Sequence, residues 1–148
     1  IAKKHHAVVA GMPMGNTSSG VPMTVEERIK EARTIINACL DFGFQKDDIV
    51  IDAICMPKAL LQKNSYKITL ETIAKLSEEG ITTQVGVGNA SSNLPDRTHI
   101  DLAYLICAIP WGLDAAFINP GIEGLLPTTR AMDTLVERDP ECRNFLKL

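Results

Sequence analysis

The sequence predicts an α/β protein in which four successive βα units build a parallel sheet with helices outside it. Short apolar runs alternate along the chain with segments of helical periodicity, which is the pattern of repeated βα units. The apolar runs are nearly continuous, as expected for strands that are covered on both faces. The 148 residues, 45% hydrophobic and 22% charged, suit one globular domain.

The first unit has the clearest boundaries. The apolar run Ala7–Met12 predicts a strand, and a long polar loop follows it. Thr24 and Glu27 have the spacing of a capping box, in which the two side chains satisfy free amides at a helix start. Gly43 is placed to end this helix. Its apolar stripe is Val25, Ile29, Ala32, Ile36, Cys39 and Leu40.

The remaining units repeat this plan. The predicted strands are Asp48–Cys55, Ile81–Gly88 and Ala115–Ile118. The predicted helices cover Ile68–Glu79, the segment from Asp96 to about Pro110, and Glu123–Val136. Each apolar run is followed by a turn-forming segment and then by a helical pattern, so the connections are short.

Polar residues stand at or shortly after the carboxyl ends of all four predicted strands: Asn16, Asp52, Asn89 and Asn119. Asp52 interrupts an apolar strand, where a carboxylate is costly unless it is paired or used. Barrel enzymes take one or two site residues from each strand at this rim, whereas an open sheet concentrates its ligand at one switch point. The distribution therefore favours part of a β/α barrel.

The loop after the third strand has the composition of a site for a flat, polar ligand. Gly86 and Gly88 let a ligand approach the backbone closely. Asn89 offers a donor and an acceptor, Ser92 a hydroxyl, and Arg97 a planar fork of donors. A well-capped βα loop without a ligand is the alternative interpretation.

Several classes of function are disfavoured. The net charge of −3 argues against nucleic acid or an anionic membrane as a partner. The longest apolar stretch, Leu102–Leu113, is too short to span a bilayer and contains a proline. The four cysteines show no metal-ligand spacing, so buried free thiols in the cytoplasm are expected and no metal site is. Neither a Gly-x-Gly-x-x-Gly turn nor a Walker motif is present.

Four segments, taken in order, resemble the pterin-binding methyltransferases, particularly those that move a methyl group between tetrahydrofolate and a corrinoid protein. They are similar to the family's Gly-Ile-Pro segment after strand five, its sixth strand with the pterin-holding aspartate, its seventh strand with Gly-x-Ser-Asn and a downstream Arg, and its eighth strand. One departure is Gly88, which stands where the family has Ser. The segments here are Gly20–Arg28, Ile49–Asp52, Gly86–Arg97 with Leu105, and Gly112–Asn119.

The resemblance implies a pterin-binding (β/α)8 TIM barrel of which residues 1–148 supply about strands five to eight. The family's first four strands have no counterpart in this sequence, and four units cannot close a barrel. We therefore expect this chain to be the carboxyl-terminal half of such a barrel, either within a longer polypeptide or assembled with a separate half. A homodimer is expected by resemblance alone.

The resemblance also assigns roles. Asp52 would accept two N–H bonds from the aminopyrimidine edge of tetrahydrofolate or 5-methyltetrahydrofolate. Asn89 would be the catalytic residue, against N5, and Arg97 would order the loop or hold the oxygen side of the pterin. Cobalamin would be carried by the corrinoid protein, with no metal ligand from this chain. The other expected substrate contacts are Gly86, Gly88, Ser92 and Asn119.

Other functions stay open. Dihydropteroate synthase shares the barrel and the pterin site, but it would need a Lys and a Ser-Arg pair that the Gly88-Asn89 segment does not supply. A non-catalytic folate-binding or corrinoid-docking fragment is a second alternative. A fragment with no function of its own is a third.

Overall fold

The computed structural model describes residues 1–15, 20–60 and 63–147, and it has the predicted alternation of strands and helices. The strands are β1 (Val9–Gly11), β2 (Ile49–Asp52), β3 (Thr82–Gly86) and β4 (Ala115–Phe117). The helices are α1 (Val25–Asp41), α2 (Ser65–Glu78), α3 (Arg97–Ala108) and α4 (Leu125–Leu135). The α/β class is confirmed, and the strands are shorter than predicted.

The strands pair in the order β1-β2-β3-β4, and each of the three pairs is parallel. A doubly wound sheet would instead reverse its strand order at a switch point. Parallel neighbours that follow one another in sequence need right-handed crossovers in the same sense, which places the helices on one face. The described sheet is therefore compatible with part of a (β/α)8 barrel.

Helix α1 begins at the predicted capping box. Thr24 Oγ1 accepts a hydrogen bond from the Glu27 amide at 3.2 Å, and Glu27 Oε2 accepts one from the Thr24 amide at 3.2 Å. The predicted stripe is buried from Val25 to Ile36, whereas Leu40 in the last turn is exposed. The predicted helix start and the stripe as far as Ile36 are thus confirmed.

The core lies between the sheet and the helices. A Cβ added at Gly11 would lie 2.6 Å from Ile35 Cγ2, so glycine lets α1 approach β1 closely. Two apolar clusters fill the layer. One is centred on α1 and β2, with Ile29, Ile36, Ile49, Ile51 and Leu76, and the other on β3 and α3, with Ile73, Val85, Val87, Tyr104 and Leu105.

The opposite face of the sheet is open. Val8, Met12 and Phe117 are 57%, 52% and 67% exposed. The expectation that all strands are covered on both faces is therefore wrong for the described residues. Side chains alternate between the faces of a strand, and the helices cover only one of them. In a closed barrel this uncovered face would be the interior.

The cysteines are free thiols, but only Cys55 is fully buried. Cys39 and Cys142 are half-buried and Cys107 is exposed, so the expectation of buried thiols holds for Cys55 alone. Within the described ranges, no helix is both long and apolar enough to cross a membrane.

Candidate functional site

Asp52 is the last residue of β2, and its carboxylate closes a tight turn at the carboxyl end of the strand. Its Oδ1 atom accepts a hydrogen bond from the Ile54 amide at 2.8 Å. The residue is only 8% exposed. Gln84 of β3 stands beside it in the strand register. The carboxylate predicted at this rim is therefore present and held by its own backbone.

A buried arginine holds the same turn in place through hydrogen bonds to backbone carbonyls. Arg28 of α1 is 1% exposed. Its Nη1 atom donates to the Ala53 and Ile54 carbonyls at 2.8 and 2.9 Å, and its Nε atom donates to the Pro22 carbonyl at 3.1 Å. Thr69 Oγ1 of α2 donates to the Ile54 carbonyl at 2.9 Å. Two helices thus hold the segment that follows β2.

Ile54 has an unfavourable backbone conformation. Its φ is 58°, in the left-handed region that β-branched residues rarely adopt. Its amide is bound by Asp52, and its carbonyl is bound by Arg28 and Thr69. Such a conformation persists only where surrounding contacts impose it, as they do here. The turn that orients the Asp52 carboxylate is therefore built by several residues acting together.

The electrostatics of the turn reflect burial. Desolvation raises the pKa of Asp52, while the Ile54 amide, the Gln84 side chain and the Arg28 guanidinium act in the opposite direction. Burial also lowers the pKa of Arg28. An arginine pKa is ordinarily so high that the guanidinium stays charged. The buried Arg28 cation therefore lies close enough to the Asp52 carboxylate to influence its pKa.

The loop after β3 is organised around one carbonyl, that of Gly88. This oxygen accepts hydrogen bonds from Arg97 Nη2 at 2.8 Å, Ser92 Oγ at 3.3 Å and Ser91 Oγ at 3.4 Å. Arg97 Nε also donates to Ser91 Oγ at 3.0 Å. Arg97, Ser91 and Ser92 therefore hold the loop together through the Gly88 carbonyl.

Asn89 is exposed at the carboxyl end of β3. A Cβ added at Gly86 would lie 3.1 Å from Asn89 Nδ2, so the missing side chain at position 86 makes room for this amide. Throughout residues 1–15, 20–60 and 63–147, no hydrogen-bond partner of the Asn89 side chain is found. Its donor and acceptor are available to a ligand.

A cleft of about 380 Å³ opens between this loop and the end of β4. It brings together Gly88, Arg97 and Asn119 of the predicted site, with Asp101 and the exposed ring of Phe117. Asn119 Oδ1 accepts a hydrogen bond from the Gly121 amide at 2.9 Å. Asp52 is not in this cleft but beside β3 on the neighbouring strand. The predicted residues thus form two groups on adjacent strands.

Three residues that sequence reasoning did not single out take part in these groups: Arg28, Gln84 and Asp101. Two of them carried a signal. Arg28 lies on the apolar stripe of α1, and Asp101 lies four residues before Leu105 on the buried side of α3. A charged residue on a buried helical face needs a partner or a use. Asn16, also predicted at the rim, lies outside the described residues.

The chain is similar to a curated protein of known activity. No protein-family model matches the chain. The chain is 25% identical over 134 residues to the Methylcorrinoid:tetrahydrofolate methyltransferase of Eubacterium limosum, and the alignment covers 88% of this chain and 48% of that protein. The chain thus spans about half the length of this curated relative. The likeness is distant.

Proposed function

We propose that this chain is the carboxyl-terminal half of a pterin-binding (β/α)8 barrel that moves a methyl group between N5 of tetrahydrofolate and the cobalt of a corrinoid protein. The observation that carries the proposal is that a carboxylate and a polar loop, both of which could bind a ligand, lie at the carboxyl ends of adjacent parallel strands. They are the Asp52 carboxylate on β2 and the Gly86–Arg97 loop after β3. The distant methyltransferase relative supports the same reaction class.

Asp52 would hold the aminopyrimidine edge of the pterin. The hydrogen bond from the Ile54 amide occupies one lone pair of Oδ1. The remaining lone pairs of the carboxylate can accept two N–H donors from the ligand. Because the turn is fixed by Arg28 and Thr69, little reorganisation accompanies binding. This preorganisation favours a ligand with a rigid, planar donor edge.

Asn89 would act at N5, where the methyl group resides. A methylated tertiary amine is a poor leaving group until N5 gains a proton, so the site must favour the protonated form as the carbon–nitrogen bond breaks. A side-chain amide can turn either its oxygen or its nitrogen toward that atom. Stabilisation that develops only as the bond breaks accelerates the transfer.

The other predicted contacts would complete the pterin site. Gly86 and Gly88 leave space for the ring, and Arg97 and Ser92 keep the Gly88 carbonyl in place. Asn119 faces the same cleft. The corrinoid would be carried by a separate protein that docks over this rim, and cobalt would receive no ligand from this chain.

The open sheet face supports the half-barrel assignment. In the proposal, strands five to eight are β1 to β4, and the face with Val8, Met12 and Phe117 meets the strands of the other half. A homodimer of complete barrels is the expected assembly. The half-barrel proposal fails if residues 1–148 alone form a stable, fully closed monomer in solution.

The test uses the complete polypeptide that carries these residues, 5-methyltetrahydrofolate and cob(I)alamin, with methylcobalamin absorbance as the signal. Asn89→Ala should lower the protein-dependent rate by about 10²- to 10³-fold, the usual effect of removing one transition-state contact. His99→Ala, an exposed change on the same segment, is the matched control and should leave the rate unchanged. Folate binding without any transfer would contradict the enzyme assignment and favour a docking or binding protein.

A further inference from the structure

Asp101 lines the cleft, and its carboxylate has one buried oxygen without a hydrogen-bond partner among the described residues. Asp101 is 5% exposed. Its Oδ1 atom is hidden from solvent, and residues 1–15, 20–60 and 63–147 supply no hydrogen-bond partner for it. A buried acceptor without a donor is costly, and such groups are rare in folded proteins. The part of the chain that the structure describes therefore leaves the Asp101 carboxylate incompletely hydrogen-bonded.

The position of Asp101 limits what that donor can be. The residue lines the cleft together with Arg97 and Gly88. The point where a Cβ at Gly88 would stand is 4.0 Å from Asp101 Oδ2 and 3.7 Å from Arg97 Nη2. The acceptor at this gap is Oδ2, not the buried Oδ1, and the Arg97 guanidinium flanks the same gap as a charged donor. A ligand that fits this gap would present a donor and an acceptor side by side.

The gap exists because residue 88 has no side chain. Contacts of 3.7 and 4.0 Å are ordinary, so a serine would fit here without displacing its neighbours. Its hydroxyl could then donate to the Asp101 carboxylate. With glycine at this position, residue 88 has no side-chain donor for Asp101, and a molecule bound in the cleft can supply one.

We propose that Asp101 accepts the N–H at N5 of a tetrahydropterin, while the neighbouring Arg97 donates to the ring carbonyl. The inference rests on the proposed function. In a tetrahydropterin the ring carbonyl and N5–H lie next to each other on one edge, which matches the acceptor and donor in the cleft. Asn89, also assigned to N5, follows Gly88 directly in the same loop.

This contact makes the site selective for one oxidation state of the ring. In a dihydropterin N5 is part of an imine and has no hydrogen, so it would place a lone pair against the Asp101 carboxylate. When N5 is methylated, it presents an N–H only in its protonated form. Asp101 would therefore favour the reduced ring and, in 5-methyltetrahydrofolate, the protonated amine that the transfer needs.

The test compares the dissociation constants of tetrahydrofolate and dihydrofolate for the complete polypeptide under anaerobic conditions. The native protein should bind tetrahydrofolate at least about tenfold more tightly, as expected from one charge-assisted hydrogen bond. In Asp101→Asn this preference should fall to about twofold or less. Asp96→Asn, an exposed carboxylate close by, is the control and should keep the full preference.

Gly88→Ser gives an independent measurement that leaves the carboxylate in place. Its hydroxyl should donate a hydrogen bond to the Asp101 carboxylate and so remove the same preference for tetrahydrofolate. The double variant should then show no further loss, because both changes abolish one contact. Far-UV circular dichroism of each variant verifies that the fold is retained.

The outcomes separate this inference from the function on which it rests. If the native protein binds neither pterin, both are refuted. If it binds tetrahydrofolate and Asp101→Asn keeps the native preference, Asp101 is satisfied by water and only the inference fails. Equal weakening of both ligands would assign Asp101 to the shape of the cleft and would also overturn the inference.

Discussion

The two carboxylates near the rim, Asp52 and Asp101, are both buried but are treated in opposite ways. Asp52 is bound by the Ile54 amide, and the turn around it is held by Arg28 and Thr69. Asp101 keeps an oxygen for which the described residues provide no donor. The first is oriented by the protein before any ligand arrives. The second would be completed only by the ligand.

This difference shows how the edge of the sheet at the carboxyl ends of the strands can combine a rigid binding group with a selective one. Around Asp52 the chain tolerates a left-handed Ile54 and a buried cation in order to fix one geometry. Around Asp101 it tolerates an unsatisfied acceptor, which a matching donor relieves. The fixed Asp52 carboxylate can determine where the pterin ring lies. The unsatisfied Asp101 carboxylate can favour a ring that has the matching N–H donor.

The largest effect is expected from removing the clamp of the Asp52 turn. Arg28→Met leaves the buried Pro22 and Ala53 carbonyls without their donor and the Ile54 carbonyl with Thr69 alone, so the free energy of unfolding should fall by at least about 3 kcal/mol. Urea denaturation measures it. Arg33→Met, which removes an exposed ion pair with Glu79, should cost less than about 1 kcal/mol. Equal losses in the two variants would show that the clamp is unimportant.

A smaller effect, on binding but not in parallel on stability, is expected at Asp52. Asp52→Asn should weaken folate binding about tenfold at neutral pH, because a charged acceptor is lost. Stability should not fall in parallel, because desolvation raises the pKa of Asp52 in the folded state. Titration calorimetry and denaturation of the same variant measure both quantities.

The sign of the accompanying pH dependence follows from the raised pKa of Asp52. Between the ordinary carboxyl pKa and the raised one, the folded state binds more protons than the unfolded state. The free energy of unfolding should therefore gain a contribution as pH falls through that window, and Asp52→Asn should lack it. If the contribution of Asp52 to the free energy of unfolding instead declines as pH falls through this window, the pKa of Asp52 is lowered in the folded state and not raised.

The smallest effect is expected from the outer part of the clamp. Thr69 and Thr72 are both fully buried on α2, and the hydroxyl of each lies within hydrogen-bond distance of a helix carbonyl one turn earlier. Thr69 Oγ1 also lies 2.9 Å from the Ile54 carbonyl and accepts a hydrogen bond from Arg28. Thr69→Val should thus cost about 1 kcal/mol more than Thr72→Val in urea denaturation. The same cost for both would exclude Thr69 from the turn.

Sequence reasoning identified what depends on local patterns. The βα order, the Thr24 capping box and the position of Asp52 follow from periodicity and spacing within a few residues. The Arg28 clamp joins α1 to the segment after β2 and to α2, so no local pattern predicts it. The left-handed Ile54 is contrary to its own preference, since tertiary contacts impose it.

The open face of the sheet also could not be anticipated from the apolar runs. Strands with continuous hydrophobic sequences indicate burial on both sides, but they do not say which chain segment provides the cover. Val8 and Phe117 are hydrophobic and exposed because the helices occupy one face alone. The cleft residues likewise come from two different βα units, which spacing cannot bring together.

The sequential strand order has a consequence for cooperativity. Each βα unit packs mainly on the units beside it, so stability behaves as a chain of nearest-neighbour couplings, as in a solenoid. Inner units have two neighbours, whereas outer units have one. Helix α4, none of whose described residues is buried, belongs to such an outer unit. Within the described residues, the last unit therefore has the least buried helix, and its strand β4 has an edge at which a further strand could pair.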